Sequence, residues 1–163
     1  MDDQRIRWLN ERLPKTRVIS HGLIRDTDGR LLLCELTYKA AWDLPGGVVE
    51  PGESPRQGCL REVREELGTL LRAYRLLAVN WLPPWNGWDD AVTFLFDLGE
   101  HPAALVETFR LEPHEIRAVH WCRPEEVAAR APVATARVLE AVYGSGVLPA
   151  HPLLLEDGRP AEA

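Results

Sequence analysis

The chain has 163 residues, 45% of them hydrophobic and 27% charged, with a formal net charge of −6. That is enough apolar material for one buried core, which excludes a chain disordered throughout. The acidic balance argues against a general binder of polymeric nucleic acid or of anionic membrane, since either needs a basic face. No run approaches the ~18 apolar residues of a membrane span.

The three cysteines, Cys34, Cys59 and Cys122, are widely spaced and form no CxxC pair. They read as reduced core thiols of a cytoplasmic protein rather than zinc ligands. The opening "MDDQRIRWLNERL" is acidic and carries no apolar signal core, so no secretory leader is expected. "RIRWLNERLP" places Ile6, Leu9 and Leu13 at helical spacing and stops at Pro14, which predicts an N-terminal helix within 1–14. "TRVISHGLIR" is rich in β-branched residues and reads as a strand. "DTDGR" supplies a turn with Gly29 at the bend, and "LLLCELTY" a second strand, together a hairpin-like pair. "WDLPGG" is a cluster of breakers.

The next helix is clearly punctuated. Ser54 suits the N-cap, Pro55 the first turn, Gln57 the capping box and Gly68 the C-terminal stop, while Leu60, Val63 and Leu67 keep a helical period. "RLLAVNWL" and "AVTFLFDL" are strands joined by "PPWNGWDD", and "IRAVHWC" is another. "RPEEVAARA" and "VATARVLEAVYG" are helices separated at Pro132. "HPLLLEDGRPAEA" reads as a polar tail, loose over 158–163. Strands dominate the middle and helices flank them, which predicts one α/β domain over 1–157 on a mixed sheet of the α+β kind.

Glu62, Glu65 and Glu66 fall at positions that share one helix face, and each like-charge pair there costs about 0.2–0.5 kcal/mol. A solvated acidic face is the ordinary reason for such a run. A divalent cation is the other: hard cations such as Mg²⁺ take oxygen ligands and complete their shell with waters and substrate phosphates. The Gly-Gly turn, the further glutamate Glu53 and the capped helix arrive in fixed order and favour the cation. Arg61 and Arg64 are expected to lie around the helix from the acidic cluster. Gly58 is expected to cost about 1 kcal/mol of helix stability against alanine and to touch no chemistry.

This stretch resembles the Nudix box. Gly47, Glu53, Arg61, Glu62, Val63, Glu65, Glu66 and Gly68 stand at its fixed positions, and only Thr69 departs, where the family has an aliphatic packing residue. The box spans 23 residues. The resemblance to the MutT-like Nudix hydrolases implies an α/β/α sandwich. It also implies hydrolysis of a nucleoside diphosphate linked to a group X, by water attacking phosphorus with Mg²⁺ or Mn²⁺. It makes Glu62, Glu65 and Glu66, with the Gly46 carbonyl, the metal ligands, and Glu62 and Glu66 the central pair. Glu53 and Arg61 become a supporting pair that fixes the loop to the helix.

The general base is open between the box and a loop outside it. Glu115, six residues before Trp121, is the outside candidate, with Glu112 as its neighbour, and His114 and His120 read as structural. Trp81, Trp85 and Trp88 crowd one interstrand loop, where indoles could stack on a base or sugar. Trp81 and Trp85, with Tyr38 and Lys39 before the box, are the candidate substrate-binding residues; Trp42, Asp89 and Asp90 lie nearby. Exposed Trp85 and Trp88 would favour a homodimer. A small nucleoside triphosphate or diphosphate, or a nucleotide sugar, is the expected substrate. A silent nucleotide sensor and a hydrolase of a non-nucleotide diphosphate are the alternatives.

Overall fold

A computed structural model describes residues 2–161. Helix α1 (Asp3–Arg12) begins at Asp2, whose side chain accepts the Gln4 amide, and none of its residues is buried. Strands β1 (Arg17–Asp26), β2 (Leu31–Leu36), β3 (Trp42–Asp43) and β4 (Gly46–Val48) lead into α2 (Pro55–Leu67). Then follow β5 (Arg75–Leu82), β6 (Ala91–His101), a 3₁₀ turn over Ala103–Thr108, β7 (Ile116–Cys122), α3 (Pro124–Arg130), α4 (Val133–Tyr143), β8 (Leu153–Glu156) and β9 (Arg159–Pro160).

The nine strands among the described residues form one mixed sheet ordered β3-β2-β1-β6-β5-β8-β9, with β4 added to β1 and β7 to β2. The β1–β6 and β5–β8 pairs are parallel and the others antiparallel. Helix α2 covers one face, burying Cys59, Val63 and Leu67 against Ile24, Leu32, Phe96 and Leu98. Helices α3 and α4 cover the other, with Val127, Leu139 and Val142 against Leu23, Leu33, Leu77 and Leu155. The result is an α/β/α sandwich. Burying Val63 and Leu67 contributes about 1.5–3 kcal/mol each, which outweighs the few tenths per glutamate pair. The apolar face therefore holds α2 in place whatever its acidic face does.

Two readings change here. The expected hairpin is brief: β1 and β2 meet only at Arg25 and Leu31. The buried Asp26 carboxylate holds their turn by accepting the amides of Asp28 and Arg30. Beyond it β4 takes the edge of β1, and β2 pairs instead with β3 and β7. The segment expected to be a loose tail is tied down through Pro160. The Gly158 amide donates to the buried Asn80 Oδ1 (2.8 Å), the Asp157 amide donates to the Trp81 carbonyl, and Arg159 pairs with Glu156 in β9. The polar residues there serve hydrogen bonds to the sheet edge rather than solvent. Residues 162 and 163 of that tail lie outside the described residues.

Candidate active site

Local sequence positions α2 as expected. Ser54 accepts the Gln57 amide and Gln57 returns the bond, while Gly68 closes the helix in the left-handed region (φ 64°). Against its middle and last turns lies β4. The register pairs Gly47 with Ser20 and Gly46 with His21. Flanking bonds run from Gly22 N to Pro45 O and from Val49 N to Val18 O. Gly46 is thereby a position whose amide and carbonyl turn off the β1 ladder.

That amide donates to Glu66 Oε2 at 2.8 Å. Glu66 is 5% exposed. Burial first, and then the charges of Glu62, Glu115 and Asp43, push its carboxyl up to about 8 against the pull of the Gly46 amide. Glu62 lies over Gly47, where a Cβ would come within 2.7 Å of its carboxyl carbon. Burial raises its carboxyl too, against the opposing pull of Arg61. Glycine at 47 is thus what lets the Glu62 carboxylate approach the backbone of β4, and glycine at 46 is what lets β4 close on β1. A Cβ at Gly46 (φ 138°) would strike the Ser20 carbonyl at 2.2 Å.

Arg61 does not lie away from the cluster. Its guanidinium donates to both oxygens of Glu53 (2.8 and 3.2 Å), to Glu62 Oε1 (2.9 Å), to Glu65 Oε2 (3.1 Å) and to the Val48 carbonyl (3.0 Å). A long side chain reaches back across its own turn, which helical position alone does not reveal. Glu65 is the outermost of the three, its side chain 52% exposed, so Glu65 and Glu66 face different surroundings. In these bonds Glu62, Glu65 and Glu66 each engage one oxygen and keep the second for another partner. Gly58 also departs from expectation. A Cβ there would meet Glu53 Oε1 at 2.9 Å, so the residue makes room for the carboxylate that holds Arg61.

The loop before β7 is fastened to the end of α2: the Arg110 amide donates to the Leu67 carbonyl and the Glu112 amide to the Glu66 carbonyl. Glu112 thus anchors, and Glu115 is exposed within electrostatic reach of Glu62 and Glu66. The Thr37 amide donates to the Glu115 carbonyl, which brings Tyr38 to the same place. Partial burial and the charges of Glu66, Glu115 and Asp43 raise the Tyr38 hydroxyl against Lys39. Lys39 is held by Asp43 (2.9 Å), which also accepts the Thr135 hydroxyl (3.0 Å).

His120 stacks on Trp42 (3.9 Å between centroids) and meets Glu35 at 2.9 Å, while Arg130 also lies over the Trp42 ring. His114 is exposed on the loop. Trp81 donates to Asp90 (3.1 Å) and is not brought to the glutamates. Trp85 and Trp88 bridge one another at the tip of the β5–β6 hairpin, 72% and 63% exposed. Asp43 and His21 were missed from the sequence. Asp43 was hidden in a breaker cluster, its one signal being Lys39 four residues earlier.

Among the described residues no three His, Cys, Asp or Glu side chains form a ready-made metal cage. The donor set nonetheless fits a hard cation. It offers carboxylates, a backbone carbonyl and no sulfur, the set from which Mg²⁺ takes one or two carboxylates and leaves the remaining positions to water and phosphate.

A NUDIX domain model matches residues 15–142. The chain belongs to the NUDIX family. It is 36% identical over 126 residues to a MutT-like protein from Streptomyces ambofaciens, covering 77% of this chain and 76% of that one. It is 31% identical over 128 residues to a CTP pyrophosphohydrolase from Escherichia coli strain K12, covering 71% and 82%. The crystal structure of a MutT NUDIX hydrolase from Burkholderia pseudomallei superposes with a TM-score of 0.65 at 28% identity, covering 79% of this chain and 99% of that one. This NUDIX chain is accordingly a hydrolase, and its sandwich is the family's.

Proposed function

We propose that this NUDIX hydrolase cleaves a phosphoric anhydride in a nucleoside triphosphate or diphosphate, or in a nucleotide sugar, by attack of water on phosphorus. Bound Mg²⁺ or Mn²⁺ would neutralise phosphate oxygens and lower the pKa of water. The observation that carries the reading is Glu66: a buried carboxylate pinned to the Gly46 amide and ringed by Glu62, Glu115 and Asp43, with little positive charge of its own. Glu62, Glu66 and the Gly46 carbonyl would hold the cation, with Glu65 at its outer side. Arg61 and Glu53 fix the carboxylates to the loop. Glu115 is the candidate that takes the proton of the attacking water. Tyr38 borders the phosphates, and Lys39, paired with Asp43, lies within reach of them. The three buried free thiols agree with a reducing cytoplasm.

Product analysis tests this. A panel of nucleoside triphosphates, diphosphates and nucleotide sugars is incubated with Mg²⁺ and with Mn²⁺. Glu66→Gln should lose roughly a hundredfold or more in rate, and Glu115→Gln a similar factor if it is the base. Metal-independent cleavage, or full activity in Glu66→Gln, would refute the proposal.

A further inference from the structure

Alternate residues of β1 share a face of the sheet. Leu23 packs under α3 and α4, and Ile24 beneath α2. Arg17, Ile19 and His21 therefore lie on the α4 side, and His21 is opposite Gly46. Beside Ile19 stand Val48 of β4 and Thr93 of β6. Ile19, His21 and Thr93 are half-buried and Val48 is exposed, so this end of the face is not roofed. A strip runs from Gly46 past Ile19 and Val48 to Arg17, four residues along β1 from His21, about 13 Å at the rise of a strand.

Arg17 closes the strip. Its Nε is buried without a hydrogen-bond partner, and no ion pair among the described residues includes it. It lies 4.6 Å from the centroid of the Trp88 ring. The turn before Trp88 has a defined backbone: Asn86 and Gly87 are both left-handed (φ 54° and 85°). Trp85 and Trp88 exchange both backbone hydrogen bonds at 3.1 and 2.9 Å. That is the two-residue turn that Asn-Gly favours.

We infer that Trp88 and Arg17 form the base-reading subsite of this hydrolase. The nucleobase stacks on the Trp88 indole and accepts hydrogen bonds from Arg17, with the phosphates lying along the strip toward Gly46 and Glu66. The inference rests on the nucleotide reading above. A guanidinium only donates. Guanine, cytosine and uracil, which present ring carbonyls, are favoured over adenine, whose exocyclic group is an amino donor.

The test measures kcat and KM of the full chain for guanosine, cytidine, uridine and adenosine triphosphates and for inorganic tripolyphosphate. Wild type is compared with Trp88→Ala, Trp88→Phe and Arg17→Gln. Trp88→Ala should raise KM for the nucleotides about tenfold, the scale of one lost base stack, with kcat little changed and tripolyphosphate unaffected. Trp88→Phe should recover most of the loss, and Arg17→Gln should level adenosine with the other bases. Equal effects on nucleotides and tripolyphosphate would overturn the subsite. So would unchanged kinetics with a shift from dimer to monomer, which would make the tryptophan pair a self-association surface. If wild type cleaves no triphosphate, the triphosphate form of the functional reading fails. Protection against thermal unfolding by nucleoside monophosphates then decides the subsite: protection lost in Trp88→Ala supports it, and protection equal in both proteins, or absent from both, overturns it.

Discussion

Replacing Gly47 by alanine isolates the glutamate geometry from the stability of the fold. Gly47 has no left-handed φ, so alanine fits its backbone, and the new Cβ would stand 2.7 Å from the Glu62 carboxyl carbon. Ordinary contact begins at 3.4 Å, a shortfall of 0.7 Å. Glu62 must retreat by that amount, and its 2.9 Å bond to Arg61 limits the direction. A misplacement of 1 Å in a reacting constellation costs on the order of a hundredfold. The variant is therefore expected to lose roughly ten- to a hundredfold in kcat/KM on whichever substrate wild type cleaves. The carboxylate is the free end of a flexible chain, so Tm should move by no more than about 4 °C, the equivalent of 1 kcal/mol in a chain of this size. Steady-state kinetics and a thermal melt on the same preparation check both numbers. Activity within twofold of wild type would mean that Glu62 is not placed at the reacting phosphate. A large fall in Tm would mean that the position serves packing.

Gly58→Ala should lower stability by about 1 kcal/mol in denaturant titration although it improves the helix. Its Cβ meets Glu53 Oε1 at 2.9 Å, Val49 at 3.2 Å and Ser20 at 3.3 Å, and overpacking of this kind costs more than the helix gains; a stabilised variant would contradict this. Asp43 is held below its ordinary carboxyl value because the charges of His21 and Lys39 and hydrogen bonds from Lys39 and Thr135 outweigh the rise caused by burial. A depressed folded value gives stability present above about pH 4 and lost as pH falls through it. The Tm gap between wild type and Asp43→Asn should thus be open above about pH 4 and close below it, and a gap independent of pH would show that Asp43 is held by packing alone.

Much of the fold was legible because its signals are local. The Ser54, Pro55, Gln57 and Gly68 punctuation delimits α2 without reference to any partner. The apolar runs "RLLAVNWL" and "IRAVHWC" likewise mark β5 and β7. What escaped depends on contacts distant in sequence. Strands β3 and β4 are two and three residues long and become strands only because β2 and β1 offer edges to them. Strand β8 needs β5, more than seventy residues earlier, before "LLLE" pairs. In the site, residue types and spacing identified the carboxylates, but not which of them is buried. Glu65 and Glu66 are neighbours of the same chemistry, yet Glu65 stands exposed beside Arg61 while Glu66 is buried against the Gly46 amide. The roles of Gly47 and Gly58 are those of a missing Cβ, which has no periodicity to read.

The charge balance around α2 explains why such a cluster is tolerated. Arg61 meets three carboxylates, Glu53, Glu62 and Glu65, and Lys39 meets Asp43. One guanidinium therefore offsets a third of the charge that it touches, and Glu66, pushed up to about 8, adds a carboxyl that a bound cation would ionise and that accepts the Gly46 amide. Apolar burial along Cys59, Val63 and Leu67 holds the helix regardless of this imbalance, so the excess negative charge does not threaten the fold. It collects instead at one place, between the start of β4 and the loop that carries Glu115. A phosphate approaching alone would be repelled there, whereas a phosphate arriving with a divalent cation would complete the balance. Arg61 then has two effects of opposite sign. It keeps Glu62 and Glu65 from splaying apart, and it competes with a cation for their oxygens, so the second oxygen of each carboxylate is the part left for binding.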